Sequence, residues 1–309
     1  MVGISASRTR LAVVSEASWG VIPATPAFKN LRMTSETLAA EKQTAVSNEI
    51  RQDRNVPDVI QVGRMAQGSI EAELSYGTFD ALLASALYGS WTTDVLKNGV
   101  LQSSFAIEKT FDRNVGADEF HRYSGVVVNT LGLSVTAAQL VTASLGVMGK
   151  GVSRATAAIT GATYQDANTE DVMSAATDFA DMTVTGLGSA PAIQSIQLNT
   201  TNNLRQRQVV GSLDSAGLGE GRFEASGSIN VYFEEGELYQ AFLDHGEFAL
   251  AFTLGTEAGK RYKFELPRCK IMTMPITAGG NDQDVMANLT FQALVDATLG
   301  GTVRITRRV

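Results

Sequence analysis

Residue types that could carry out catalytic or ligand chemistry are few in this 309-residue chain, and their spacing does not suit it. The only two histidines are His121 and His245, and neither stands near cysteine or paired carboxylates at metal-ligand spacing. Serine, histidine and aspartate all occur, but the GxSxG motif of a nucleophile elbow does not. We therefore expect a protein that is not an enzyme and that uses no metal or cofactor.

Three short segments resemble ligand-binding loops without completing their motifs. Residues 146–151, GVMGKG, have Ser144 where a phosphate loop needs glycine, and Gly151 where it needs serine or threonine. Residues 217–221, GLGEG, lack the dinucleotide-binding spacing. Residues 281–284, NDQD, have no downstream glutamate to complete a calcium loop, and they fit an acidic hairpin tip better. The sequence thus predicts no phosphate, dinucleotide or calcium site at these three places.

Composition favours a soluble β protein with a sizeable core. The chain is 44% hydrophobic and 18% charged, and its 29 glycines with abundant Val, Thr, Ser and Ala suit strands and turns. The net charge of −7 argues against a broad basic surface for nucleic acid. Cys269 is the only cysteine, which excludes an intrachain disulfide framework and suits assembly in a reducing cytoplasm. No apolar run reaches the roughly 18 residues of a membrane span, so no membrane partner is expected.

A strand–turn–helix pattern occurs twice and organises the chain. Residues 68–76 alternate apolar and polar side chains, which is the period of a half-buried strand, and residues 79–87 place apolar side chains on one helical stripe. Residues 227–246 repeat both patterns after 159 positions, so that Gly68 corresponds to Gly227 and Gly77 to Gly236. We predict Thr78 as the N-cap of the first helix and Gly89 as its left-handed C-cap.

The repeat predicts a mainly β fold with a duplicated β-sandwich or barrel domain, each copy carrying a short flanking α-helix. The expected domains are residues 1–150, which include an N-terminal arm, and residues 182–309, with residues 151–181 as a linker or extra hairpin. An Arg-Tyr pair opens what we interpret as the corresponding stretch in each copy, at residues 122–123 and 261–262. Residues 19–26, with two prolines, indicate an extended arm that wraps its own domain or reaches a neighbouring subunit.

Alternating patterns predict the remaining strands. In the first copy these are residues 31–40 and 105–111 and a hairpin of residues 123–135 with 140–148. In the second copy they are residues 248–254, 262–266, 271–276 and 285–295.

Two long loops are more apolar than a solvated loop needs. They are residues 45–62 and, as their duplicate, residues 204–218. We expect them to mediate contacts with other molecules. The candidate contact residues are Ile50, Arg51, Asp53, Arg54, Val56, Arg205, Arg207 and Val209.

Three motifs carry a resemblance to a known family. Residues 107–111 read IEKTF, residues 123–131 read YSGVVVNTL, and residues 141–150 read VTASLGVMGK. Together they resemble the tail tube proteins, or major tail proteins, of long-tailed, non-contractile bacteriophages. The resemblance covers residues 79–150 well and the remainder mainly by pattern.

The resemblance implies a structural virion protein that assembles in the host cytoplasm into stacked rings, forming a hollow tube for genomic DNA. It also implies tape-measure, tail-terminator and tail-tip proteins as partners. Rings of this family are usually hexamers with one tube domain per chain. A chain with two domains leaves open a trimer with pseudo-sixfold symmetry or a hexamer.

A tube that conducts DNA must not bind it. Lys and Arg gain affinity for DNA by displacing its counterions, whereas an acidic wall avoids that gain. We predict Glu71, Glu73, Glu234 and Glu235 as residues that face the lumen, with the outer wall as their alternative location. The rival function is a β-sandwich binding module of the adhesin type that forms no tube. Against it, Trp19 and Trp91 are the only tryptophans, and no aromatic cluster suggests a sugar platform.

Overall fold

The computed structural model describes residues 3–187 and 191–308, with 50% of the chain in strands and 6% in helices. This confirms the mainly β fold class. In chain order the strands are β1 (Thr9–Ser15), β2 (Ala27–Asn30), β3 (Ser35–Glu36), β4 (Ala39–Val46), β5 (Val59–Glu73), β6 (Val95–Lys97), β7 (Phe105–Phe111), β8 (Glu119–Thr136), β9 (Thr142–Gly149), β10 (Gly151–Ala155), β11 (Thr163–Gln165), β12 (Phe179–Thr185), β13 (Ile193–Thr201), β14 (Arg205–Gln206), β15 (Leu218–Gly219), β16 (Glu224–Tyr232), β17 (Glu247–Leu254), β18 (Tyr262–Thr273), β19 (Ile276–Ala278), β20 (Val285–Ala293) and β21 (Arg304–Arg307). The helices are α1 (Asp80–Ala86) and α2 (Gly236–Leu243).

Strand β8 bends from one sheet into another. Its first half pairs antiparallel with β7 and β10, and its second half pairs antiparallel with β9 and β13. Gly125 lies between these halves with φ +64°, and a Cβ at this position would approach the Trp19 ring to 3.0 Å. Glycine adopts such left-handed backbone at little steric cost. Gly125 therefore allows the backbone of β8 to bend, so that one continuous strand belongs to both sheets.

The two halves of the chain pair their strands in the same order. In the first half the order is β1–β7–β8–β9–β5, with β3 and β4 on the far side of β5. In the second half it is β12–β17–β18–β20–β16, with β13 on the far side of β16. Every one of these pairs is antiparallel. The register shift in β8 between Val128 and Thr130 also recurs in β18, between Ile271 and Thr273.

The halves are joined through two strands. β13 pairs with β8 on one side and with β16 on the other, so a single sheet runs through both halves. The C-terminal strand β21 pairs with β18 of the second half and β6 of the first. The hydrophobic core is correspondingly continuous, with Ile70 and Phe105 in the same buried cluster as Phe264 and Phe291.

Both helices end in the same backbone motif. Gly89 N–H donates to Ala84 O at 3.0 Å, and Gly246 N–H donates to Ala241 O at 3.0 Å. The left-handed residue is the one before each glycine, Tyr88 with φ 49° and His245. The prediction of a left-handed Gly89 was therefore wrong. Glycine is required there because a Cβ would lie 2.2 Å from the Lys97 carbonyl oxygen.

The predicted N-cap was also wrong. α1 begins after Phe79 with no side-chain cap, while Thr78 Oγ1 pairs with Ser75 Oγ at 2.6 Å in the buried turn before the helix.

Other local predictions require correction. Residues 31–40 form only the short β3 and the start of β4, whereas β1 and β2 lie in residues 1–30, where no strand was predicted. That stretch packs on its own half, because β1 pairs with β7 and Trp19 Nε1 donates to Gly125 O at 3.0 Å. The two Arg-Tyr pairs do not correspond. Tyr123 of β8 lies opposite Ile107, just after a register shift in β7. The residue of β18 that follows the same kind of shift in β17 is Leu266, opposite Leu250, and not Tyr262.

Residues 151–181 lie against both halves. β10 pairs with β8, β11 pairs parallel with β2, and β12 pairs with β17 across the expected domain boundary at residue 182.

Candidate assembly surfaces

Across residues 3–187 and 191–308 no group of three or more His, Cys, Asp or Glu side chains is placed to hold a metal ion. Within the same ranges, no helix is both long enough and apolar enough to cross a bilayer. The features that remain are surfaces, namely one polar sheet face, two exposed loops and two strand edges.

The sheet that runs through both halves has one apolar and one polar face. Ile70, Leu133, Leu198 and Leu289 are buried on the apolar side. The opposite face carries two rows of residues that lie opposite one another from strand to strand. One row is Glu71, Ser144, Gly132, Asn199, Ser226 and Gln292, and the next is Glu73, Thr142, Ser134, Gln197, Ser228 and Thr290. Within these six strands neither row contains Lys or Arg, and Glu71 and Glu73 are the charged members. The first row continues to Lys270 of β18, which lies opposite Gln292 and forms an ion pair with Glu247.

The four predicted glutamates do not share one environment. Glu71 and Glu73 lie on the polar face of β5, where Ser144 Oγ donates to Glu71 Oε1 at 2.8 Å. Glu234 and Glu235 lie beyond the end of β16, exposed in the link to α2, and Glu235 is the N-cap residue of that helix. Only the first pair therefore belongs to a strand face.

The loop between β4 and β5 projects as the tip of a long hairpin. Ile50 at the tip is 99% exposed, and Val56 is exposed as well. The tip is held in shape by Arg51, which donates to both carboxylate oxygens of Asp53 at 3.0 and 2.9 Å. This hydrogen bond lowers the pKa of Asp53 to about 2. Arg54 takes a left-handed conformation with φ 60° in the same turn.

The loop between β13 and β16 forms a second, smaller hairpin built on β14 and β15. Arg205 Nη1 donates to Glu220 O at 3.0 Å, and Arg207 N–H donates to Gly217 O at 3.0 Å. Val209 and Val210 are exposed at its tip. The sequence-predicted residues of this loop are thus displayed on the surface, as are those of the first.

The second loop contacts the two strands at the base of the first hairpin. Arg64 N–H donates to Leu213 O at 2.9 Å, and the Arg64 guanidinium forms an ion pair with Asp214. The hydrogen bond from Arg64 lowers the pKa of Asp214. Gln43 Nε2 adds a hydrogen bond to Gln206 Oε1 at 3.0 Å. On the side of the first hairpin these contacts come from Gln43 of β4 and Arg64 of β5, which lie outside residues 45–62. The second loop therefore packs against the base of that hairpin and not against its predicted contact residues.

The polar-faced sheet ends at two edges that have no strand partner among the described residues, as is also the case for the outer edges of β10, β11 and β12. One is the outer edge of residues 35–41, which span β3 and the start of β4. The other is the outer edge of residues 273–279, which span the end of β18 and β19. Sequence analysis missed both edges, because pairing between distant strands leaves no local signal. The alternating Gln197 and Asn199 of β13 were the available sign of a polar face.

A polar cluster centred on the buried Tyr262 connects the two halves away from these surfaces. The Tyr262 hydroxyl, on β18, accepts a hydrogen bond from Gly77 N–H at 2.8 Å and donates to Asp80 at the start of α1. Arg307 of β21 contacts Asp80 and, at 2.8 Å, Asp94. Burial raises the pKa of Tyr262 well above its ordinary value, which keeps its hydroxyl protonated as a donor.

Comparison with known proteins gives one result. A family model described as phage tail tube protein matches residues 6–293, which includes every strand from β1 to β20. β21 follows the matched residues. A search of curated proteins finds no match.

Proposed function

The chain belongs to the phage tail tube protein family, and from this membership we propose that its copies form stacked rings enclosing a channel for genomic DNA. It is a structural component of the virion tail. The observation that carries the proposal is the polar face of the continuous sheet together with two strand edges that lack partners. A sheet of this kind gains hydrogen bonds and loses its exposed edges when it closes on further copies.

The number of chains in a ring depends on whether the chain is duplicated. We infer that residues 1–150 and 182–309 are two copies of one tube module. The shared order of strand pairs and the shared helix ending support this inference. Three chains then supply six modules with pseudo-sixfold symmetry, and a hexamer of chains is the alternative.

We assign the polar face to the lumen. From β5 to β20 its two central rows carry Glu71 and Glu73 among neutral side chains and no cation. Lys270, the next residue of the first row, is paired with Glu247, so a passing phosphate backbone meets no unpaired cation along these rows. Glu234 and Glu235 lie at the end of the corresponding strand, where they extend the acidic wall. The alternative is that these carboxylates face outward and serve solubility.

The exposed loops are assigned to contacts between rings. Ile50 and Val56 on the first hairpin and Val209 on the second present apolar side chains to solvent in one chain. Covering apolar surface of this kind with a second surface removes it from water, which lowers the free energy of the assembly. The ion pair of Arg51 with Asp53 stiffens the first tip, which lowers the entropy cost of docking. Arg54, Arg205 and Arg207 supply the polar rim.

Further partners follow from the family resemblance. A tube of this kind encloses a tape-measure protein and ends on tail-terminator and tail-tip proteins. The resemblance is to long-tailed, non-contractile phages, whose tails are assembled in the host cytoplasm. Genomic DNA passes through without specific binding.

Electron microscopy of the purified chain tests the proposal. Rings and hollow tubes are expected, alone or after addition of tail-tip proteins to start assembly. Discrete particles of one chain under all these conditions would instead favour the binding module of the adhesin type.

A further inference from the structure

The junction between β8 and β13 joins the two halves of one chain, and we propose that the same junction joins one chain to the next. Residues 273–279 of one copy pair antiparallel with residues 35–41 of a second copy. This inference rests on the ring assembly proposed above and specifies its contact. The two edges are equivalent in position to the two strands of the internal junction.

The end of β18 and β19 occupy the place of the second half of β8. Ile276 lies opposite Ala287, and Leu133 lies opposite Ala143. Ala287 and Ala143 are equivalent to each other. Ala287 lies opposite Val231, and Ala143 lies opposite Ala72. Val231 follows Ala72 by 159 positions, which is the length of the sequence repeat. β13 covers the outer edge of this stretch of β8. The corresponding edge beside Ile276 has no strand partner among the described residues.

Residues 35–41 occupy the place of β13. The register of β3 and β4 on β5 sets Leu38 opposite Gly68, and β13 sets Leu198 opposite Gly227. Both glycines accommodate a close backbone approach. An added Cβ would lie 2.6 Å from Thr37 O at Gly68 and 2.1 Å from Gln197 O at Gly227. Leu38 and Leu198 are both buried, so the side-chain alternation agrees as well.

The internal junction then fixes the register between chains. Leu198 lies opposite Leu133 in the pairing of β13 with β8. The equivalent pair between two copies is Leu38 with Ile276. Antiparallel pairing around this point sets Thr37 opposite Thr277, and Glu41 opposite Thr273.

Backbone hydrogen bonds in the single chain agree with this register. Thr37 N–H donates to Ser69 O at 2.9 Å, so the next residue, Leu38, directs its backbone groups away from β5. Pro275 O accepts from Asn288 N–H at 3.1 Å, so Ile276 directs its groups away from β20. Pro275 has no N–H, and the proposed pairing does not require one from it.

In the single chain, side chains provide hydrogen-bond partners for the backbone N–H and carbonyl of Leu38. Leu38 N–H donates to Glu36 Oε2 at 2.8 Å, and Leu38 O accepts from the Tyr123 hydroxyl at 2.9 Å. On assembly the carbonyl of Ile276 replaces the Glu36 carboxylate. The carbonyl of Leu38 has a second lone pair for the incoming N–H. The carboxylate thus protects an edge that would otherwise attract any strand.

The repeated junction also has the geometry of a closed barrel. The row that starts at Glu71 reaches β16 at Ser226, whereas the residue equivalent to Glu71 is Asn230. A row therefore shifts by four residues over four strand steps. With ~3.3 Å per residue and ~4.8 Å between strands, this shift tilts the strands by ~35°, within the range of barrels. Six modules of four strands would close at a backbone diameter of about 45 Å.

Cysteine cross-linking tests the register. The pairs Thr37→Cys with Thr277→Cys and Glu41→Cys with Thr273→Cys place facing thiols at disulfide distance in the proposed register. The recombined pairs, Thr37→Cys with Thr273→Cys and Glu41→Cys with Thr277→Cys, are the controls, because they would face each other only in parallel pairing. Cys269 is kept, since burial raises its pKa to about 12 and leaves little thiolate to react. Ser134→Cys with Gln197→Cys is the intrachain control.

Tubes are assembled under reducing conditions, inspected by electron microscopy and then oxidised. The two matched pairs should convert most of the chain to covalent multimers on a non-reducing gel, and the recombined pairs and wild type should not. Tubes that yield no multimer from the matched pairs, or that yield multimers from the recombined pairs, would overturn the register while leaving tube formation intact. A wild-type chain that forms neither rings nor tubes would contradict the proposed function itself, and the pairing between chains with it.

Discussion

Gly68 and Gly227 hold the same position in two strands that pair alike. Val147 lies opposite Gly68, Phe291 lies opposite Gly227, and on the other side each glycine abuts the backbone of a neighbouring strand too closely for a Cβ. We expect Gly227→Ala to destabilise the fold, because its Cβ would meet Gln197 O at 2.1 Å. The closely spaced backbones would have to separate, at a cost of about 1–3 kcal/mol.

Gly280→Ala is a matched control, since a Cβ at that exposed loop position meets nothing within 4 Å and, as at Gly227, the backbone is not left-handed. Thermal unfolding of both variants measures the difference. A Gly227→Ala variant as stable as wild type would remove the close approach as the reason for the glycine.

The first hairpin tip should be needed for polymerisation and not for folding. Deleting residues 52–57, or replacing Ile50 and Val56 with serine, removes exposed apolar groups that contact no core. We expect a folded subunit with nearly unchanged unfolding midpoint that forms few or short tubes. Val115→Ser, on an exposed loop between β7 and β8, is the control. Tubes of normal length from the deletion would rule out this role.

Charge reversal on the polar face should slow DNA passage. In Glu71→Lys with Glu73→Lys, tubes should still assemble, but genome delivery should fall, and most at low salt, where screening is weak. Asp166→Lys with Asp171→Lys makes the same change in net charge on exposed residues outside this face. Normal delivery through intact Glu71 and Glu73 variant tubes, at every salt concentration, would place both glutamates on the outer wall.

Tyr262→Phe should loosen the contact between the two halves. It leaves Gly77 N–H without its acceptor and removes the donor to Asp80, so we expect a loss of about 1–3 kcal/mol in unfolding free energy. Tyr239→Phe, on the exposed side of α2, should have little effect. Chemical denaturation of both variants measures this, and equal stabilities would contradict it.

The contact between Arg64 and Asp214 should depend on pH in one direction. Its hydrogen bond lowers the folded pKa of Asp214, so the contribution is present above the unfolded pKa of about 3.9 and is lost as pH falls through the folded value. The stability difference between wild type and Asp214→Asn should therefore be constant from about pH 7 to about pH 5 and shrink only in stronger acid. A difference that grows on acidification would contradict the assignment, and Asp166→Asn is the control.

Local patterns predicted the parts of the fold that local sequence determines. The strand at residues 105–111 and the hairpin of β8 with β9 were correct because their side chains alternate and their connection is short. β1 was missed because its apolar run, residues 11–14, is short and does not alternate with polar residues. The Arg-Tyr correspondence was wrong because a shared dipeptide does not determine the register of a strand. The strand pairing places Leu266 at the position that Tyr123 has in the first half.

The candidate surfaces were predictable to a lesser extent. Glu71 and Glu73 could be placed on a polar strand face from alternation alone, but not the neutral Asn199 and Ser226 that complete their row. The contact of Arg64 with Asp214 and the two strand edges arise from pairing between residues far apart in sequence. No local period encodes such pairing, because the partners are separated by many residues along the chain and meet only when the intervening segment closes into a loop.

A cryo-electron microscopy reconstruction of tubes from the purified chain tests the central claim most directly. We predict three chains per ring, Glu71 facing the bore, and a closed barrel whose 24 strands give a backbone diameter of about 45 Å. Six chains joined in the same way would give about 90 Å. Purified chain that remains as single particles, or tubes whose sheet edges do not pair between neighbouring chains, would contradict the account.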